Sequence, residues 1–298
     1  MSPPADLRQL VTPVILANEL RMLRQDPRRQ RLTIVLCEGT KDREVYKDKF
    51  KQEHIHLVAV GARVTTPRAE GGARAAVLAT LRALASLPGV LAIVDADCDP
   101  LLNQTPPENV HFPDGNDLEI MLLCSPALAK VLGERGSEAK LQRHLESGTD
   151  PLTVLLREGV KIGRLRFLSR REGWRLRFED LPMKKLFDRA TLQLDEAELL
   201  RLICARTASN LTKPPTSEVL QAQLRTVADH DPCLLCCGHD LVELLSLALG
   251  GAFGSNTIPS EDLERDLRLA FAPAHFTPTQ LYAALRRWEA AHPPFRLF

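Results

Sequence analysis

LTIVLCEG, residues 32–39, is an apolar, β-branched run that breaks directly into a glutamate and a glycine. VLAIVDAD, residues 90–97, repeats the arrangement, an apolar run passing straight into acids. Runs apolar along their whole length, rather than alternating, suit strands buried on both faces. Between the two lie a short helix over 42–50, a further strand HLVAVG (56–61), a loop over 67–72 and an Ala/Leu-rich helix over 73–87. VHF (110–112) adds a fourth strand, and another helix opens over Asp117–Leu123. This alternation predicts an α/β fold: a parallel sheet with helices on both faces. Ligands of such sheets bind beyond the carboxyl ends of the strands. Glu38 and Asp95 both fall at that end.

Outward from this core the pattern changes. Residues 5–25 place Leu7, Leu10, Val11, Val14, Ile15 and Leu23 at helical spacing, with Pro13 bending or restarting the helix, and RQDPRRQR (24–31) forms a charged connector. From about 125 onward helices dominate: 126–133, 137–146, 195–208, 216–228, 239–249, 260–271 and 278–291. One stretch departs from this. RLRFL and WRLRF, around 164–178, alternate apolar and basic residues with SRREG between them, which predicts a β-hairpin with an arginine face. LTKPPTS (211–217) is the clearest internal loop. The expected organisation is an N-terminal helix (1–30), a metal-binding sheet domain (31–125) and a mostly helical region carrying the hairpin (126–298).

Composition narrows the class. At 44% hydrophobic and 26% charged, the 298-residue chain reads as globular, and with 5% aromatics its core falls to Leu, Val and Ala. The net charge of +1 gives no global basic excess, yet residues 95–119 hold seven acids and no Lys or Arg. Residues 157–189 then hold eleven basic residues against five acids. Seven cysteines, an odd and scattered set, read as reduced thiols and a cytoplasmic location. VTPVILA (11–17) is too short and interrupted for export or a membrane span. With no Walker, nucleophile-elbow or dinucleotide fingerprint, ATP hydrolysis by this chain is not expected.

The acids carry the chemistry. Carboxylates brought together repel unless a cation joins them, and hard divalent ions such as Mg²⁺ take oxygen ligands, waters and substrate phosphates. While the chain stays extended, Asp95 and Asp97 share a side, and Asp99 continues the spacing. Glu38 approaches from a neighbouring strand end, and Gly39 leaves room for a phosphate near the backbone. Taken singly, an Asp-x-Asp is often a solvated loop and a Glu-Gly a turn. Two acidic motifs at two strand ends favour a metal site.

VLCEGTKDREVY (35–46) resembles the first Toprim motif, and VDADCD (94–99) resembles the second. The chain more closely resembles a bacterial family of unknown function with a Toprim-like core, through EGTKD, VDAD, DGNDLEIML, KIGRLRFLS, GHDL and FTPTQLYAALRRWE, over most of residues 30–298. The resemblance implies Mg²⁺- or Mn²⁺-dependent phosphodiester chemistry on DNA or RNA. Glu38 would be a ligand or general acid/base, Asp95 and Asp97 would hold the ion, and Asp117 and Glu119 a second one. It also implies an anti-phage effector encoded beside an ABC-type ATPase partner, and pairing with a second copy of the chain is a further expectation. Cys98 departs from the pattern by placing a soft ligand type among hard ones.

Other features have plainer alternatives. The arginines of the expected hairpin (Arg164, Arg166, Arg175, Arg177, with Arg170 and Arg171 in its turn) would contact a nucleic-acid backbone or form a solvated face over Leu165, Phe167, Trp174, Leu176 and Phe178. Lys41 and Arg43 would contact phosphate or face solvent. HDPCLLCCGHD (230–240) offers zinc ligands in Cys233, Cys236, His230 and His239, but without a distant second knuckle; buried thiols are the simpler reading. His239 would alternatively lean toward the acids. Leu281, Leu285 and Trp288 share a helical face and belong to a core or an interface. Competing functions are a glycosyltransferase using the Asp-x-Asp, which leaves Glu38-Gly39 unexplained, and a non-catalytic partner of an ATPase.

Overall fold

The computed structural model describes residues 11–64, 72–208 and 215–298. Residues 67–71 of the expected loop and most of LTKPPTS lie outside the described residues, as does the beginning of the helix read over 5–25. The fold is α/β. Strands β1 (Thr33–Cys37), β2 (Ile55–Ala59), β3 (Val90–Ile93) and β4 (Val110–His111) form one parallel sheet in the order β2-β1-β3-β4. Around the sheet residues run α1 (Pro13–Gln25), α2 (Thr40–Tyr46) and α3 (Gly72–Ala83). Pro13 opens α1 rather than bending it: Thr12 caps the helix through its hydroxyl, and proline is tolerated in a first turn whose N–H groups lack partners anyway.

Beyond β4 the chain is helical. The elements are α4 (Leu118–Leu123), α5 (Ala127–Arg135), α6 (Glu138–Glu146), α7 (Pro151–Arg171), α8 (Met183–Leu186), α9 (Glu196–Ala208) and α10 (Ser217–Leu224). They continue with α11 (Pro232–Leu235), α12 (Gly238–Leu249), α13 (Ser260–Ala270), α14 (Pro273–Phe276) and α15 (Gln280–Ala291). An antiparallel pair, β5 (Phe187–Asp188) and β6 (Gln193–Leu194), interrupts them.

The compact units are not contiguous in sequence. One comprises Met1–Asp95, Pro106–Pro113 and Phe276–Phe298; the other comprises Ala96–Thr105 and Asp114–His275. In the first, the sheet buries Ile34, Leu36, Val58, Val90, Ala92 and Val110 in one cluster with Leu16 and Leu20 of α1 and Val77 of α3. Cys37 stands opposite both Ala59 and Ile93, so three strands end flush and their next residues share one edge. The segment 276–298 completes this unit. Leu32 bridges Arg296, Thr33 Oγ1 donates to the Arg296 carbonyl at 2.6 Å, and Trp288 Nε1 donates to Asn109 Oδ1 at 2.7 Å. Leu281, Leu285 and Trp288 are accordingly buried.

Two local readings are corrected. The C-terminal region does contain a hairpin, but at Phe187–Leu194; residues 164–171 belong to the helix α7. Asp150 caps α7 by accepting from the Thr153 N–H at 2.9 Å, and Pro151 occupies its first position. Leu155, Ile162, Leu165 and Leu168 are buried at helical spacing, a period that outweighs the short alternation in RLRFL. Gly159 and Gly163 do not break the helix because they are close-packing points: a side chain there would strike Leu241 and the Leu235 carbonyl. In addition, β3 stops at Ile93 instead of running on to Asp97. Asp97 (φ 49°) and Cys98 (φ 64°) are left-handed, so the Asp-x-Asp is not extended.

Candidate metal-binding sites

In the first unit, Glu38 follows β1 directly and Asp95 lies just past β3, the strand beside it. The Asp95 N–H donates to Glu38 Oε1 at 3.0 Å, fixing the glutamate across the strand ends. The Glu38 carbonyl accepts from the Gly61 N–H at 2.8 Å, and a Cβ on Gly61 would lie 2.7 Å from that oxygen. Both carboxylates are partly exposed. Gly39, read as a place for phosphate approach, gives its N–H to Asp42 Oδ2 at 2.5 Å. Lys41 and Arg43 on α2 are exposed, with Arg43 beside Glu44 at 3.3 Å.

The remaining expected acids belong to the second unit. Arg170 pairs with buried Asp99 and stands 3.6 Å from exposed Asp97. Asn116 holds their loop: its carbonyl accepts from the Ala96 N–H at 2.8 Å, and its Oδ1 from the Cys98 N–H at 2.7 Å. Cys98 is buried, and burial pushes its thiol pKa up to about 11.

Asp117 caps α4. Its Oδ1 accepts from the Ile120 N–H at 2.9 Å and its Oδ2 from the Gly238 N–H at 2.7 Å. Burial first, and then the Glu119 charge, raise its pKa to about 7 against the pull of those two N–H groups. Glu119 is buried on the same helix. His239 projects from the first turn of α12, and its Nδ1 lies 2.7 Å from Glu264 Oε1 on α13. The Glu264 hydrogen bond raises the imidazole to about 9.

Among the described residues, the only group of three or more ligand-type side chains with donor atoms within 4.8 Å of one another is Glu119, His239 and Glu264. Two of the three, Glu119 and His239, are candidates from the sequence; Glu264 is not. Its signal was available, because SEDLERDLRLA puts it on the face of Leu263 and Leu267, an acid in an apolar stripe. Cys233, Cys236 and His230 form no metal group with His239. Cys236 is buried, and Cys233 Sγ lies 3.2 Å from Cys124 Sγ.

Four of the arginines read as one basic face, Arg164, Arg166, Arg170 and Arg171, have partners within the protein. Arg166 makes two 2.8 Å hydrogen bonds to Asp240 and covers the Phe178 ring, and Arg164 donates to the carbonyls of Leu224 (2.8 Å) and Val227 (3.1 Å). Arg171 reaches Glu172, Gln223 and Thr226. Arg175 and Arg177 follow α7 in irregular chain, Arg175 with φ 51° and Arg177 with its N–H on Thr207 Oγ1 at 3.3 Å.

Compared with known proteins, the chain matches no family model, no curated protein and no solved structure. No helix among the described residues is long and apolar enough to cross a membrane.

Proposed function

We propose that the protein is a Mg²⁺- or Mn²⁺-dependent nuclease of Toprim type that hydrolyses phosphodiester bonds in DNA or RNA, acting as an anti-phage effector. The observation that carries this reading is the Asp95 N–H bound to Glu38 Oε1 at the carboxyl edge of adjacent parallel strands. An all-oxygen donor set suits a hard ion that keeps waters and substrate phosphates as its other ligands. Such an ion would supply a polarised phosphoryl group and a more acidic water. Glu38 and Asp95 would hold it, both exposed enough for a polyanionic substrate to reach. Asp97 belongs to the second unit, so the proposal rests on the other two. An ABC-type ATPase remains the proposed partner, on the Toprim resemblance alone.

The test is incubation of the full chain with plasmid, single-stranded DNA and tRNA, each with Mg²⁺ or Mn²⁺, beside Glu38→Gln and Asp95→Asn. Metal-dependent cleavage that both substitutions abolish supports the reading. Cleavage that persists in both overturns it.

A further inference from the structure

We infer that Glu119, His239 and Glu264 form a second metal site, selective for a divalent transition ion of the Zn²⁺ or Mn²⁺ kind. The inference concerns the second unit alone and does not depend on the nuclease reading. Each ligand comes from a different helix, and α4, α12 and α13 pack against one another pairwise, so the three donors converge on a rigid scaffold. Glu119 and Glu264 are buried, while His239 stands at the exposed rim.

Glu119 supplies the independent observation. Its residue is only 6% exposed, its carboxylate accepts no hydrogen bond among the described residues, and its charged neighbour is the His239 imidazole. A carboxylate buried to this extent with no hydrogen-bond donor is unfavourable unless a cation shares the site. It is aimed at the other two donors, all within 4.8 Å, a spacing that modest side-chain rotation closes around one ion. Gly238 is part of the same construction: a side chain there would strike Asp117 Oδ1 and Glu119 Cβ. Asp117 thus backs the site without entering it, its oxygens held by the Ile120 and Gly238 N–H groups.

The donor chemistry selects the ion. An imidazole nitrogen favours Zn²⁺ and its neighbours, and paired carboxylates admit Mn²⁺, whereas Mg²⁺ and Ca²⁺ prefer oxygen throughout. Three protein ligands with a solvent-facing side leave a coordination position open, the pattern of a reactive rather than a purely structural site.

Calorimetric titration of the full chain in a Glu38→Gln background isolates this site from the proposed nuclease centre. One equivalent of ZnCl₂ or MnCl₂ should bind more tightly than MgCl₂. Glu119→Gln and Glu264→Gln, both near-isosteric, should each weaken binding about tenfold or more, comparable to losses at supporting ligands elsewhere. His239→Asn should do the same, and Cys233→Ser should change nothing. Circular dichroism melts identify any variant that has unfolded. Absence of transition-metal binding in folded protein overturns the inference. So does binding that survives Glu119→Gln and Glu264→Gln, or binding lost only in Cys233→Ser.

Discussion

Gly238 donates its backbone N–H to Asp117 Oδ2 at 2.7 Å, which ties the start of α12 to the cap of α4. The contact requires glycine, since a Cβ would strike Asp117 Oδ1 and Glu119 Cβ and lie 2.9 Å from the Ile120 nitrogen. Gly238→Ala is expected to destabilise the protein by about 1–3 kcal/mol through overpacking. The urea unfolding midpoint measures it, and an unchanged midpoint would show that the helices simply move apart.

Glu158 gives the pH dependence a definite sign. Its buried carboxylate accepts from Lys161 Nζ and Arg157 Nε at 2.6 Å each, and from the Leu194 N–H at 2.8 Å. Burial pushes its pKa up, but the three donors outweigh burial and hold it below the ordinary 4.5. The folded value lies under the unfolded one, so this contribution is full above about pH 4.5 and disappears as pH falls through the folded value. Glu158→Gln should cost about 2 kcal/mol at neutral pH. It should also flatten the acid limb of a Tm-against-pH curve; an acid limb identical to wild type would contradict the assignment.

Arg166 and Asp240 form a two-pronged pair with both contacts at 2.8 Å. Asp240 is buried, so removing its partner strands a charge. Arg166→Met is expected to lose about 3–5 kcal/mol, whereas Arg166→Met with Asp240→Leu should recover most of it. A double-mutant cycle on chemical denaturation decides this. Additive losses would mean that the pair is not coupled.

Cys124 and Cys233 bring their sulfurs to 3.2 Å, with Cys124 exposed. The Cys124 thiol pulls the Cys233 pKa below its usual value, which favours the more reactive thiolate there. Diamide, a thiol oxidant, should join this pair, with two thiols lost by Ellman titration and one intramolecular bond found by peptide mapping. Cys124→Ser should block it; mapping to any other pair would rule it out.

Much of the sheet was legible because fully buried parallel strands are continuous apolar runs, as in 32–37 and 90–94. Helices α5, α6, α9, α10, α12, α13 and α15 fall at the segments read as helical. RLRFL alone does not distinguish strand from helix, because five residues of alternation suit either; the helical frame appears only when Val154, Leu155 and Ile162 are included. The acids at strand ends identified Glu38 and Asp95 as neighbours. The turn at Asp97 and Cys98 was not legible, since neither residue announces a positive φ. Nor was Arg170 as their companion, because a pairing 71 positions apart leaves no local trace.

The return of Phe276–Phe298 to the sheet has a consequence for synthesis. Phe295 packs against Gly89 just before β3, Arg296 bridges Leu32 just before β1, and the Lys51 N–H donates to the Leu297 carbonyl. During translation, strands made early must wait for more than 160 intervening residues of another unit before these contacts exist. The sheet's apolar margin is therefore exposed to chaperones, proteases or other nascent chains for that interval. Ribosome-stalled chains ending near residue 270 should be protease-sensitive across the sheet, while chains extended beyond 298 by a linker that clears the exit tunnel should be protected.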